Sequence, residues 1–226
     1  MAGGFGTRLK DKLKNIPKPM IPVNGRPFLD YVFELLKKNG INTVILSLYY
    51  KSNVIVQHYG DYFDDVKIKY SIDNAPLGTG GAIKKALTKV KTENVYIING
   101  DTFFNINLKD LMNNQINNNN DITLSLKTMT DFDRYGFVNI QNNGRVIAFE
   151  EKKYQEIGHI DGGIYVIKKM LFKNRKTKNN FLFTDFINKN LGLLKIGSII
   201  FDNEFIDIGT PEDLLSAPAL LKTTFN

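Results

Sequence analysis

The chain reads as an α/β protein built on a doubly wound sheet, and three observations carry that reading. Near-continuous apolar runs at Thr43–Leu48 and at residues 94–99 have the character of strands buried on both faces. Segments with the apolar spacing of a helix, at Phe28–Lys38 and at residues 79–90, alternate with them. That alternation of strand and helix builds a sheet covered on both sides, whose ligands sit at the carboxyl ends of the strands.

The elements follow in order. Apolar side chains at 28, 31, 32, 35 and 36 line one helical face, with Pro27 at the first-turn position and Gly40 as the stop. After the strand Thr43–Leu48, Ser52 is placed to cap a short helix through His58. Val66–Ile72 alternates apolar and polar residues as a strand does, and the helix over 79–90 leads to the strand at 94–99, which delivers Gly100 and Asp101 at its carboxyl end. A helix precedes a further strand at 122–129, and the Asn-rich run from Asn113 to Asn120 reads as a polar helix end and loop.

Beyond about residue 130 the pattern becomes β-rich. Residues 136–140, the turn Asn142-Asn143-Gly144 and residues 145–150 predict a hairpin with a type I′-like turn. Strands follow at 160–167, 194–201 and 205–208, the last ending at Gly209. Thr210-Pro211-Glu212-Asp213 opens a final helix with a cap, a first-turn proline and two acids at the positive end of the dipole. With no internal repeat or long flexible linker, residues 1–226 are expected to form one domain with an inserted β-rich subregion.

Composition narrows the class. At 226 residues, 42% hydrophobic and 23% charged, the chain can bury a core without staples, and disorder and a collagen-like fibre are excluded. The absence of Cys excludes a disulfide scaffold and any thiolate metal site. No apolar run reaches the roughly 18 residues of a membrane span, and Met1-Ala2-Gly3-Gly4 lacks the blocks of a signal peptide, so a soluble, cytoplasmic protein is expected. The net charge of +7 is scattered, with lysines far outnumbering arginines, which argues against a nucleic-acid partner and leaves at most a field that steers small anions.

The most informative segment is Gly3-Gly4-Phe5-Gly6-Thr7-Arg8-Leu9. Glycines there let backbone N–H groups converge on phosphate oxygens, and Arg8 adds a bidentate donor. It is neither a Walker loop, since no Gly-Lys-Ser/Thr follows, nor a complete dinucleotide fingerprint, since Leu9 stands where the third glycine would be. Ten residues after Arg8 comes Lys18 in Ile16-Pro17-Lys18-Pro19-Met20, where two prolines lower the entropy lost when the ammonium meets an anion.

With these segments the chain resembles the sugar-phosphate nucleotidyltransferases, whose opening signature is Gly-Gly-x-Gly-Thr-Arg-Leu followed by Pro-Lys-Pro. Pro76-Leu77-Gly78-Thr79-Gly80-Gly81-Ala82 is similar to the family's base-binding turn, Asn99-Gly100-Asp101 to its metal-binding strand end, and Phe149-Glu150-Glu151-Lys152 to its sugar-phosphate segment. Asp161-Gly162-Gly163-Ile164-Tyr165 and Ile206-Asp207-Ile208-Gly209-Thr210-Pro211-Glu212-Asp213 complete the set. Among subgroups, Gly100-Asp101-Thr102-Phe103-Phe104 with residues 205–213 looks most like the D-glycero-α-D-manno-heptose 1-phosphate guanylyltransferases, with mannose 1-phosphate guanylyltransferases next.

The resemblance implies a Rossmann-like mixed sheet of the GT-A type, with a nucleotide-binding half over 1–130 and a sugar-phosphate-binding half with the last helix over 131–226. It implies transfer of GMP from GTP, or of another nucleotide from its triphosphate, to a sugar 1-phosphate. Gly3, Gly4, Gly6, Thr7, Arg8, Lys18, Gly78, Thr79 and Gly80 would bind the nucleotide. Gly136, Glu151, Lys152, Asp161 and Gly163 would bind the sugar phosphate, and Asp101 and Asp207 would share Mg²⁺. By the same resemblance Arg8, Lys18, Asp101, Lys152 and Asp207 would be the catalytic set. An attacking phosphate is already ionised and needs no general base, so neither His58 nor His159 is required. No nucleic acid or membrane enters, and a homo-oligomer is left open.

Two departures accompany the match. The family has a buried strand immediately before the glycine loop, where this chain has only Met1 and Ala2, so a start upstream, or a crippled form, is expected. Asp161 stands where the nearest subgroup leads us to expect Asn, which bears on sugar identity more than on the reaction. The competing readings are a mannose 1-phosphate guanylyltransferase, another nucleotide-sugar pyrophosphorylase, and a non-catalytic nucleotide-sugar-binding paralogue.

Overall fold

A computed structural model describes residues 1–3 and 16–225, which fall into two units. One comprises Met1–Pro76, Asn99–Asn105 and Glu204–Asn226; the other comprises Leu77–Ile98 and Ile106–Asn203.

In the first unit, a 3-10 turn at Lys18–Met20 leads into β1 (Pro22–Val23) and β2 (Arg26–Pro27), an antiparallel hairpin. Its turn residues Asn24 and Gly25 both have positive φ, 50° and 81°, which matches the twist of paired strands. This hairpin is an addition to the elements expected from the sequence. Pro27 stays extended ahead of α1 (Phe28–Lys38), which buries Phe28, Leu29, Tyr31, Val32, Phe33, Leu35 and Leu36 as its spacing predicts. Gly40, at φ 75°, turns the chain out of the helix.

Next, β3 (Thr43–Leu48) and β5 (Val66–Ile72) pair in parallel, with α2 (Ser52–Tyr59) between them in sequence and β4 (Tyr62–Phe63) antiparallel on the other side of β5. Only the last half of β3 is buried, so the expectation of a strand covered on both faces throughout is corrected. Nor does Ser52 cap α2: the N-cap is Lys51, left-handed at φ 49°, which turns the chain one residue early and makes Ser52 already helical. Phe33 stacks on Phe63 at 4.8 Å and leans on Tyr59 at 5.1 Å, closing the core under α1 and α2. The unit is completed by β7 (Thr102–Phe104), antiparallel to β13 (Phe205–Asp207), and by α6 (Pro211–Phe225). Thr210 Oγ1 accepts from Asp213 N at 3.2 Å and donates to the buried Asp213 carboxylate at 2.8 Å, the expected cap.

The second unit opens with α3 (Gly78–Ala86), which tightens to a 3-10 turn at Leu87–Lys89, so the α-helix stops short of the expected Val90. In order follow β6 (Asn94–Ile98), α4 (Leu108–Asn117), β8 (Ile122–Phe132), β9 (Phe137–Ile140), β10 (Val146–Glu150), β11 (Gln155–Lys168), α5 (Phe183–Lys189) and β12 (Ile196–Phe201). The six-stranded sheet has the order β10-β9-β11-β8-β12, with β6 also paired to β11. Only β8 and β12 run parallel in it; the remaining pairs are antiparallel. β6 pairs with one strand among the described residues and is half-buried along its length, not buried on both faces.

The hairpin expected at 136–150 forms with a different turn. Among Asn142, Asn143 and Gly144 only Gly144 has positive φ, 77°, while Gly144 N donates to Gln141 O and Gln141 N to Arg145 O. That is a three-residue loop with a left-handed glycine, since a type I′ turn requires positive φ at both central residues. The Asn-rich run does end a helix, yet Gln115 and Asn120 within it are buried. Gln115 donates to Asn120 O and accepts from Thr123 Oγ1, and Asn120 donates to Thr123, so the polar side chains satisfy one another. No helix among the described residues is long and apolar enough to cross a membrane.

Candidate active site

Lys18 lies at the centre of the strongest polar constellation. Its backbone is set by the flanking prolines: Pro17 and Pro19 are buried, Met20 N donates to Pro17 O at 2.8 Å, and Ile21 N donates to Lys18 O at 3.1 Å. The ammonium donates to Asp101 Oδ2 at 2.8 Å and to Asp207 Oδ1 at 3.4 Å. The two carboxylates, 106 residues apart in sequence by their numbers 101 and 207, meet because β7 and β13 pair with Asp207 opposite Thr102 and Ile208 N donates to Asp101 O. Three-residue strands are enough, since Phe104 packs edge-on against Phe205 and Phe103 lies tilted against Phe225.

The electrostatics follow from burial and pairing. Burial works against the Lys18 ammonium, but the Asp101 and Asp207 carboxylates outweigh it and hold its pKa above the ordinary lysine value. Asp207 is pushed above the usual carboxylate value by loss of water and by Asp101, against the pull of Lys18. Among the described residues the two carboxylates face the Lys18 ammonium, and the Met1 amino group near Asp101 has its pKa lowered by burial to about 6. The carboxylates keep 37% and 27% of their side-chain surface exposed, and their negative charge exceeds the positive charge described around them.

That surplus fits a hard divalent cation. Mg²⁺ is usually held by one or two carboxylates, with waters and substrate phosphates completing its shell. No group of three or more His, Cys, Asp or Glu gathers among the described residues, so no third side chain of these types joins the pair there. Gly209, within a motif noted above but not among the expected site residues, shapes the pair. A Cβ there would stand 3.1 Å from both Asp207 carboxylate oxygens, so glycine leaves that carboxylate room.

Of the expected phosphate cradle, Gly4, Gly6, Thr7 and Arg8 lie outside the described residues. Gly3 lies against Tyr49, whose backbone N would be 2.9 Å from a Cβ at this position. Ala2 N donates to Ser47 O and Gly100 N to Met1 O, so residues 1–3 span from the end of β3 to the segment that carries Asp101.

Gly78, Thr79 and Gly80 open α3 in the second unit, and there they meet a segment that sequence reasoning passed over. Gly80 N donates to Phe181 O, Phe181 N to Leu77 O, and Phe183 N to Thr79 Oγ1 at 2.8 Å. A Cβ on Gly80 would collide with the Phe181 ring at 2.1 Å, and one on Gly78 with Phe181 O at 2.5 Å. The glycines therefore admit residues 179–183 against the helix start. The aromatic spacing at 181, 183 and 186 was the available signal for this segment and for α5.

The sugar-phosphate set gathers in part. Asp161 Oδ1 accepts from Gly163 N at 2.9 Å, and Oδ2 accepts from the Tyr165 hydroxyl. Between Asp161, opposite Leu126, and Tyr165, opposite Leu124, three residues of β11 face Ser125 alone. Gly163 takes φ 73° in this bulge, and Ser125 Oγ donates to Ile164 O at 2.9 Å. Burial raises the Asp161 pKa, and the donors Tyr165 and Gly163 only partly offset it. Gly136 flanks the Ile160–Phe137 pair and packs on Glu150 O, 2.6 Å from where its Cβ would be. Glu151 and Lys152 are exposed in the turn between β10 and β11.

Known proteins agree with this architecture. The nucleotidyl transferase family profile matches residues 1–224. A D-glycero-alpha-D-manno-heptose 1-phosphate guanylyltransferase of Campylobacter jejuni is 51% identical over 213 residues, 94% of each chain. One of Aneurinibacillus thermoaerophilus is 45% identical over 218 residues, 96% of this chain and 94% of that protein. Two crystal structures of HddC from Yersinia pseudotuberculosis, the second complexed with GMP-PN, superpose with TM-scores of 0.87 and 0.84 at 34% identity, covering 96% of both chains. The fold is the Rossmann-like mixed α/β arrangement of such enzymes, and the chain belongs to the nucleotidyl transferase family.

Proposed function

We propose that this protein transfers GMP from GTP to D-glycero-α-D-manno-heptose 1-phosphate, giving GDP-heptose and pyrophosphate. The observation that carries the reading is the meeting of Lys18, Asp101 and Asp207 in a chain half identical to an enzyme of that name. A phosphate oxygen of the sugar 1-phosphate attacks the α-phosphorus of GTP. The bond from that phosphorus to the β-phosphate bridging oxygen breaks, and the electron pair leaves with pyrophosphate.

Both reactants are polyanions, so the protein's task is to cancel their repulsion and align them. Asp101 and Asp207 would hold Mg²⁺, which when bound neutralises charge on the phosphates and on the leaving pyrophosphate. Lys18, with Arg8 and the amides of Gly3, Gly4, Gly6 and Thr7, is assigned to the triphosphate; Gly78, Thr79 and Gly80 are assigned to the base. Lys152 and Glu151, with Gly136, Asp161 and Gly163, are assigned to the heptose phosphate. Lys152, exposed on a turn, suits an incoming anion. Asp161 spends both oxygens inside its own strand, so its part is to hold the bulge that shapes the sugar subsite. In this reading residues 1–130 serve the nucleotide and 131–226 the sugar phosphate, the reaction is cytoplasmic, and the product supplies surface polysaccharide such as capsule or lipopolysaccharide.

Pyrophosphate release with Mg²⁺, each of four nucleoside triphosphates and a panel of sugar 1-phosphates tests the proposal. GTP with the heptose 1-phosphate is expected to exceed GTP with mannose 1-phosphate and all other pairs. Release from no pair would refute it, and a preference for mannose 1-phosphate would reassign the sugar.

A further inference from the structure

The geometry points to Lys18 as a resident counter-ion that a divalent cation must displace, so that metal entry and release of the Lys18 ammonium are a single event. The inference deepens the reading above and rests on its assignment of the metal to Asp101 and Asp207.

Three observations carry it. The ammonium already uses one oxygen of each carboxylate, at 2.8 and 3.4 Å, so a hard cation drawing on both carboxylates competes with it for their charge. Two cations sharing that pair repel one another in a site where only 13% of the Lys18 side-chain surface is exposed and water screens poorly. The backbone of Lys18 is fixed between buried Pro17 and Pro19, whereas its four-carbon stem can turn without moving the chain.

The consequence is an order of events. While Lys18 neutralises the carboxylates, two of its three N–H donors and most of its charge are turned away from a phosphate. A metal that takes over this task frees the ammonium for an anion, so the same ion prepares both the carboxylate pair and the lysine. By linkage, whatever Lys18 costs the metal, the metal costs the Lys18 contact. Lys18 then lowers affinity for metal in the nucleotide-free protein, opposite to the effect of a lysine that merely organises the two carboxylates.

Manganese is the probe, because paramagnetic resonance reads its free and bound forms directly in the full-length, nucleotide-free protein, with no turnover required. Lys18→Met is expected to bind Mn²⁺ about tenfold more tightly than the parent, within the usual range of coupling between sites. Lys18→Arg, which keeps the charge, is expected to stay near the parent. Equal or weaker binding by Lys18→Met would overturn the displacement. In the parent protein, where folding of a variant is not at issue, Mn²⁺ is expected to raise the rate at which an amine-acylating reagent labels Lys18 several-fold, as read by peptide mass spectrometry. An unchanged or lowered rate would also overturn it. Lys18→Met combined with Asp101→Asn locates any failure: Mn²⁺ binding as tight as in Lys18→Met alone would refute the metal pair itself, whatever the substrate assay gives.

Discussion

The molecule holds its two principal carboxylate sites in opposite ways. Asp101 and Asp207, in the first unit, share the Lys18 ammonium and keep part of their side-chain surface exposed. Asp161, in the second, has both oxygens filled by its own strand, from Gly163 N and from Tyr165. The first arrangement has capacity left for a ligand, and the second has been spent on shape. The difference separates groups that would touch the reacting phosphates from a group that positions backbone.

The sharpest way to break this comparison is to neutralise each site by an isosteric change. Asp101→Asn or Asp207→Asn should lower turnover by roughly 10²–10³-fold, the scale of losing a charged group aimed at the transition state, with thermal unfolding little changed. Tyr165→Phe should do the reverse. It removes the hydroxyl that donates to Asp161 and should cost about 1–3 kcal/mol in urea unfolding, because a carboxylate oxygen loses its donor away from water. A smaller effect is expected from Gly209→Ala, whose new Cβ would crowd both Asp207 oxygens at 3.1 Å. Turnover should fall by roughly tenfold, as expected for displacement by a fraction of an ångström, with the unfolding midpoint unchanged.

The smallest effect is a pH dependence. Because the folded pKa of Asp161 is raised above its ordinary 3.8, its contribution to stability is fully present below that value and is lost as pH rises through the raised one. Asp161→Asn cannot titrate, so the parent should lose ground to it in urea unfolding as pH rises above the ordinary carboxylate value of 3.8. Parallel stability curves above that value would show that the carboxylate is not held as described.

How much of this was legible depends on what each signal encodes. Lys18 between two prolines announces a pre-set cation in the sequence alone, and the long helix α1 follows from five apolar positions. The meeting of Asp101 with Asp207 was not derivable from spacing, because it is fixed by pairing between strands of three residues, too short to show a period. The Asn24-Gly25 turn was passed over for the same reason, its strands being two residues each. Asn142-Asn143-Gly144 marks the hairpin but not its turn type: asparagine tolerates either sign of φ, and the three-residue loop leaves positive φ to Gly144 alone in place of the type I′-like turn. The run holding Gln115 and Asn120 reads as a polar helix end and loop, and nothing in residue type marks these two as buried; they are buried because they satisfy each other with Thr123.

Metal dependence tests the central claim most directly. Pyrophosphate release from GTP and the heptose 1-phosphate is followed as Mg²⁺ is added back to chelator-treated parent protein and to Asp101→Asn. The parent should be silent until Mg²⁺ is supplied and then saturate, while the variant stays flat across the same range. Release by the parent without metal, or a variant that responds as the parent does, would contradict the role assigned to the Asp101–Asp207 pair.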